Sequence, residues 1–295
     1  MDEPLGTGRL QKIFEKHGFL FRKRLGQNFL VDENIVRKIV AAAEISPQDV
    51  VVEIGAGAGT LTRALAKKAG LVIALEVDKR LQPVLGETLS GCSNVEVVYE
   101  DALAVDFDGL VAGKTAGRPG GQAQKTYKIV ANIPYYITTP LLLHLLQGGF
   151  HFEFLLIMLQ QEVARRLTAE PGNKDYGALS IVTRYFTEPK ILFRVPKTVF
   201  YPRPEVDSAV VCLRRRVNPP VAVPDEELFF RLVRNAFFRR RKTVLNALAR
   251  SRDLPPLSRE EWQETLRAAD IDPGRRGESL RLEDFASLAA QIGKK

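Results

Sequence analysis

The sequence predicts an α/β protein in which a doubly wound, largely parallel sheet is followed by a small all-helical C-terminal domain. Three observations carry this reading. Short, β-branched apolar runs alternate with helical stretches from about residue 33 to residue 159; the first run ends in closely spaced glycines; and after Asn218-Pro219-Pro220 only helical periodicity remains.

Taken in order, a basic N-terminal arm leads into a helical pattern from about Glu33 to Ala43. Val50-Val51-Val52-Glu53-Ile54 then reads as a buried strand meeting a tight turn, because its residues are apolar and β-branched and glycines follow at once. Similar runs at Leu71 to Val77, Val95 to Tyr99, Ile129 to Ala131 and Phe154 to Leu159 are separated by helical stretches such as Leu61 to Ala69 and Lys79 to Leu89. Between Gly109 and Lys128 the chain turns Gly-, Lys- and Gln-rich without periodicity and reads as a surface insertion. Helices are expected at Glu226 to Phe238, Arg241 to Ala249, Arg259 to Ala269 and Leu282 to Ile292, which places the domain boundary at the Pro-rich break, with domains of residues 1–218 and 219–295.

Composition narrows the function classes. Lys and Arg outnumber Asp and Glu by 43 to 35, so polyanions are plausible partners. Cys92 and Cys212 lie far apart, and His17, His144 and His151 form no cluster, so neither a disulfide framework nor a metal site is expected. The longest apolar runs, Leu141 to Leu146 and Leu155 to Leu159, are far too short to span a bilayer, and Met1-Asp2-Glu3-Pro4 opens no signal segment. A cytoplasmic protein without membrane association is the expectation.

Glycines in Glu53-Ile54-Gly55-Ala56-Gly57-Ala58-Gly59 stand between the first strand and the next helix, where a missing Cβ lets backbone approach a ligand. Open α/β sheets bind ligands at the carboxyl ends of their strands, and Glu76 closes the second strand, where a carboxylate accepts ribose hydroxyl hydrogens. By itself this pattern fits a dinucleotide oxidoreductase or a methyltransferase, and isolated matches include plain tight turns. Three neighbouring features favour the methyltransferase: the acid at position 53, the G-x-G-x-G spacing, and Glu100-Asp101-Ala102 at the end of the third strand. Asp101 is placed to accept from an adenine amine, with a turn cap as the alternative.

Asn132-Ile133-Pro134-Tyr135-Tyr136 follows the fourth strand. An adenine amino group is a poor nucleophile because its lone pair is delocalised into the ring. Two acceptors, the Asn132 side-chain oxygen and the Pro134 carbonyl, would bind both N6 hydrogens and localise that pair, so that positioning and electrostatics replace a strong base. Tyr135 would stack on the base, a contact worth about 1 to 3 kcal/mol. A strand-ending turn is the plainer alternative.

These segments, together with Leu25-Gly26-Gln27-Asn28-Phe29-Leu30 and Val199-Phe200-Tyr201-Pro202-Arg203-Pro204-Glu205-Val206-Asp207-Ser208, closely resemble the ribosomal RNA adenine N6-dimethyltransferase family from about Leu25 to Leu288. The resemblance implies the Rossmann-like methyltransferase sheet and S-adenosylmethionine as cofactor. It places Asn28, Leu30, Gly55, Gly57, Glu76, Asp101, Ala102 and Asn132 at the cofactor, and Asn132, Pro134, Tyr135 and Phe200 at the target adenine, Phe200 opposite Tyr135. Phe237 to Leu248 and Tyr136-Ile137-Thr138-Thr139-Pro140 look like the small-subunit branch rather than the large-subunit, macrolide-resistance branch. That branch implies dimethylation of two adjacent adenosines in the 3′-terminal hairpin of 16S rRNA; 16S rRNA within an immature small subunit is the expected partner, and a monomer is the default expectation. The insertion after Gly109 looks longer than the family usually carries.

Between Arg214 and Arg250 ten basic residues face three acids. Such a run fits either a solvated helix face or phosphate contact, and with the motifs upstream phosphate contact is preferred, at Arg239, Arg240, Arg241 and Lys242. In the N-terminal arm Arg22, Lys23 and Arg24 are the corresponding candidates, with Phe14, Phe19 and Phe21 interleaved to clamp RNA or, alternatively, to pack on the fold. A role mainly as an RNA- or assembly-binding factor stays open beside catalysis.

Overall fold

The computed structural model describes residues 5–22, 26–116, 126–239 and 241–293. In chain order the first elements are α1 (Thr7–Lys16), β1 (Phe29–Leu30), α2 (Glu33–Ala42), β2 (Val50–Ile54), α3 (Thr60–Ala66), β3 (Leu71–Leu75), α4 (Gln82–Thr88) and β4 (Val95–Val98). They continue with α5 (Phe107–Thr115), β5 (Tyr127–Asn132), α6 (Thr138–Gln147), β6 (Phe152–Gln160), α7 (Gln161–Thr168) and α8 (Ala178–Phe186). β7 (Thr187–Val195), β8 (Phe200–Tyr201) and β9 (Ser208–Arg215) precede α9 (Glu226–Phe238), α10 (Val244–Leu248), α11 (Arg259–Ala268) and α12 (Leu282–Ile292).

Seven strands form one sheet in the order β4-β3-β2-β5-β6-β9-β7. The pairs from β4 to β6 are parallel, and β9 runs antiparallel to β6. Every residue of β2 and β3 is buried, so both faces of the sheet are covered, as continuous Val/Ile/Leu runs require. Strand order reverses between β2 and β5, where Ile54 lies level with Ala131. In an open α/β sheet such a switch opens a crevice at the strands' carboxyl ends.

β2 has the expected borders, β3 and β4 end earlier than expected, at Leu75 and Val98, and β5 and β6 run longer at both ends, while β1, β7, β8 and β9 have no counterpart among the expected strands. β1 and β8 are two-residue strands paired with each other, too short to carry a periodic signal. The insertion is also narrower than Gly109 to Lys128. Asp106 caps α5 by accepting from the Gly109 N–H, Phe107, Val111 and Thr115 bury one face four residues apart, and Tyr127 and Lys128 already belong to β5. Gly117 to Lys125 lie outside the described residues.

Two compact units emerge, Met1–Ala164 with Lys190–Arg215, and Arg165–Pro189 with Arg216–Lys295. The boundary thus differs from a single break at residue 218: the second unit also takes in the segment that carries α8. Its aromatic residues explain this, because Tyr185 packs on Phe229 and Phe230 and Phe186 on Phe230 with ring centroids 5.2–5.5 Å apart, and Tyr185 donates to Glu226. Trp262 and Phe285 complete the buried core of that unit. Among the described residues no helix is long and apolar enough to cross a membrane, and no cluster of His, Cys, Asp and Glu could hold a metal ion.

Candidate active site

A cavity of about 200 Å³ opens at the carboxyl ends of β2 to β5. Its floor is the glycine turn. Gly55 and Ala56 donate back to the Leu75 carbonyl at 2.9 and 3.0 Å, and Gly55, Gly57 and Gly59 all have positive φ, between 58° and 83°. At Gly57 a Cβ would also meet the Phe29 ring at 3.1 Å, so only glycine lets β1 close over the turn.

Glu76 is buried, and its two oxygens are held by different backbone groups: Gly57 N–H donates to Oε2 at 2.8 Å and Asp78 N–H to Oε1 at 2.9 Å. Burial raises its pKa against those bonds. Glu53, on β2, is 1 % exposed; burial, with the charge of Glu76 nearby, pushes it up to about 8, and its Oε2 has no partner among the described residues. At neutral pH Glu53 is therefore largely uncharged. On the third strand's end Asp101 and Ala102 line the cavity, and Asp101 spends Oδ1 on the Leu103 N–H at 3.0 Å, so it caps its turn while facing the opening.

The opposite wall comes from β5 and β8. Asn132 ends β5, and its amide nitrogen donates to the Asn28 carbonyl at 3.3 Å. Among the described residues its side-chain oxygen carries no hydrogen bond and is left as an acceptor. Pro134 lines the cavity too, but its carbonyl already accepts from Ile137 N–H at 3.2 Å and Thr138 Oγ1 at 3.3 Å, so both lone pairs are in use. The Ile133 carbonyl carries no such bond among the described residues, although Ile133 also borders the cavity. Tyr135 stands in the short 3-10 turn that follows, and Phe200 faces the cavity from β8.

Of the residues expected at the cofactor, Asn28, Gly55, Gly57, Glu76, Asp101, Ala102 and Asn132 border this one cavity. Leu30 does not: its side chain lies in the core beside Val199 and Phe200, because β1 turns alternate residues to opposite sides. Gln27, to which the sequence alone assigns no role, joins two segments at the cavity. Its amide donates to buried Asp78 at 2.8 Å while its oxygen accepts from Arg22 N–H at 2.8 Å, tying the segment before β1 to the end of β3. Burial opposes ionisation of Asp78, but bonds from Arg80 and Gln27 hold its carboxyl below the usual range. The signal was present in the sequence, since Gln27 sits inside Leu25 to Leu30, yet its partner is 51 residues away.

The aromatics of the arm pack on the fold, the alternative to an RNA clamp. Phe14, Phe19 and Phe29 are buried against one another and Phe21 joins them, with centroids 5.1–6.1 Å apart, while Lys16 and His17 bind Glu87. Arg22 is exposed; Lys23, Arg24 and Arg240 lie outside the described residues. Arg239, Arg241 and Lys242 are exposed between α9 and α10, next to Phe238 at 82 % exposure. Much of the remaining basic run is engaged. Arg214 pairs with Glu153, Arg216 with Glu188 and two backbone carbonyls, and Arg231 with the Asp253 carbonyl.

This strand order with a ligand-sized opening at the switch point is the plan of a Rossmann-like methyltransferase. The solved structures it resembles are of that class: a dimethyladenosine transferase from Plasmodium falciparum (TM-score 0.71, 28% identity, 90% of this chain and 98% of that one) and the 23S rRNA methyltransferase ErmE (TM-score 0.64, 30% identity, 90% and 100%). The chain belongs to the ribosomal RNA adenine dimethylase family, whose model matches residues 18–292. It is 56% identical over 280 residues to a protein of Pelotomaculum thermopropionicum named ribosomal RNA small subunit methyltransferase A, covering 95% of this chain and 94% of that one. With its namesake from Moorella thermoacetica it shares 54% over 292 residues, 99% of each chain.

Proposed function

We propose that this enzyme dimethylates the N6 amino group of two adjacent adenosines in the 3′-terminal hairpin of 16S rRNA, within an immature small ribosomal subunit, with S-adenosylmethionine as methyl donor. The observation that carries the reading is Asn132, whose amide nitrogen is bound to Asn28 and whose oxygen is thereby left to accept at the cavity.

The polar groups fit an adenosine-bearing cofactor: a carboxylate at Glu76 for the ribose, Asp101 for the exocyclic amine, and the Gly55 and Gly57 backbone, which carries no Cβ, beside them. When bound, that cofactor supplies a methyl group on a sulfonium whose leaving thioether is neutral, so no strong base is needed. The Asn132 oxygen accepts one N6 hydrogen. The second acceptor is the Ile133 carbonyl rather than that of Pro134, whose lone pairs hold the Ile137 N–H and the Thr138 hydroxyl. Tyr135 and Phe200 enclose the base, which has to leave its stack to enter, as a hairpin loop permits.

Arg22, Lys23 and Arg24 in the arm, and Arg239, Arg240, Arg241 and Lys242 between α9 and α10, serve as phosphate contacts; of these, Arg22, Arg239, Arg241 and Lys242 are exposed. The test is transfer of labelled methyl from S-adenosylmethionine to unmethylated small subunits, with mass mapping of the products. Two adjacent dimethyladenosines near the 16S 3′ end are expected. Labelling confined to 23S rRNA would reassign the substrate, and binding without transfer would favour an assembly factor.

A further inference from the structure

Ser208 opens β9 opposite Gln160 and is 1 % exposed. Its hydroxyl lies 2.9 Å from the Tyr135 hydroxyl, and either can donate. Tyr135 stands on a three-residue turn at the cavity wall, a poor mounting for a ring that must hold one angle. Two torsions orient a tyrosine ring; a hydrogen bond from its hydroxyl to a strand residue fixes the first by holding the far end in place, and the preference of the phenolic O–H for the ring plane biases the second. Tyr136, the next residue on the same turn, is 51 % exposed.

The anchor itself is held firmly. Just before Ser208, the Asp207 carbonyl accepts from Gln161 N–H at 3.0 Å and its carboxylate from Lys197 N–H at 2.9 Å, while Lys197 Nζ donates to the Glu205 carbonyl at 3.0 Å. The segment that ends at Ser208 starts from β8, which carries Phe200 and is paired to β1 at Leu30. One short segment therefore holds Phe200 at its start and the Tyr135 hydroxyl at its end.

We propose that Ser208 is a positioning residue for methyl transfer: its hydroxyl holds the far end of the Tyr135 ring in the place from which the ring stacks on the target adenine, with Phe200 across from it. This rests on the reading of Tyr135 as the base-stacking ring. Ser208 does not touch the base and acts only through Tyr135.

The full-length chain is assayed on unmethylated small subunits at saturating S-adenosylmethionine, with calorimetry for the cofactor and 2-aminopurine in place of the target adenine as a stacking reporter. Ser208→Ala and Tyr135→Phe each break the bond and keep the ring or its surroundings. Each is expected to lower kcat about tenfold, a change of about 1.4 kcal/mol, and to weaken 2-aminopurine quenching, with the cofactor Kd within about twofold of the parent. The double variant is expected to be no worse than either single one, since both remove the same bond. Ser208→Thr, which keeps the hydroxyl, restores kcat to within about threefold.

Effects that multiply in the double variant, or parental kcat in Tyr135→Phe, overturn the pin, and the second result stands even if Ser208→Ala fails to fold. Tyr135→Ala separates the two ideas. Parental kcat in that variant would remove the base-stacking role itself, whereas a crippled Tyr135→Ala beside a fully active Ser208→Ala would remove only the role of Ser208.

Discussion

On the wall built by β2 and β3, the protein itself engages its polar groups: Glu76 has both oxygens on backbone N–H groups, and Gly55 and Ala56 are folded back onto Leu75. Across the cavity, the turn after β5 is left half-satisfied, with Asn132 bound only through its nitrogen and the Ile133 carbonyl without a partner among the described residues. A buried polar group without a partner costs about 1–3 kcal/mol, so unfilled acceptors persist where a ligand's donors will fill them. In the proposed function the first wall binds the cofactor and the second acts on what is bound.

Substitutions should therefore separate the walls. Asn132→Ala is expected to lower kcat by about a thousandfold, in the range for loss of one aligned polar group, with RNA affinity within about twofold. A single-turnover assay beside a filter-binding titration checks this, and normal turnover would show that Asn132 is no acceptor. Glu76→Gln, which cannot accept from both Gly57 and Asp78, is expected to weaken S-adenosylmethionine binding by about 10- to 100-fold by calorimetry while kcat at saturation changes little. A change in kcat alone would erase the distinction between the walls.

Replacing Arg239 and Arg241 together by Ala touches neither wall. It should weaken RNA binding several-fold and reduce the slope of log K against log salt by roughly 0.7 to 1 per lost contact. An unchanged slope would mean these side chains face only solvent.

The smallest effect on activity is expected at Glu53. Its native pKa of about 8 lies above its unfolded value near 4.5, so the folded state binds the extra proton between those limits. That contribution to stability is complete below pH 4.5 and is lost as pH rises toward 8. Glu53→Gln should therefore unfold with a flatter dependence on pH across that window, measured by denaturant titration at several pH values. An equally steep profile would mean that Glu53 is ionised in the fold.

The two basic stretches show what a linear reading can and cannot reach. Arg214 to Arg216 and Arg239 to Lys242 look alike as strings of positive charge, yet Arg214 and Arg216 pair with Glu153 and Glu188 while Arg239, Arg241 and Lys242 are exposed. The arm's phenylalanines repeat the point, since a pattern compatible with base stacking is spent on the core around Phe29. Legible in advance were features with local causes: the glycine turn, the acid at the end of β3, the Asn-Ile-Pro-Tyr turn and the borders of α9 and α12.

Periodicity and local turn chemistry are properties of neighbouring residues, so the sequence by itself determined the alternating α/β order, the glycine turn and the candidate acceptor at Asn132. Only the tertiary structure decided which of Asn132's atoms is free, that Pro134's carbonyl is occupied, that Leu30 faces the core, and that Gln27 meets Asp78 and Tyr135 meets Ser208. Those partners lie 51 and 73 residues apart, and no local preference encodes a hydrogen bond closed only when the sheet assembles.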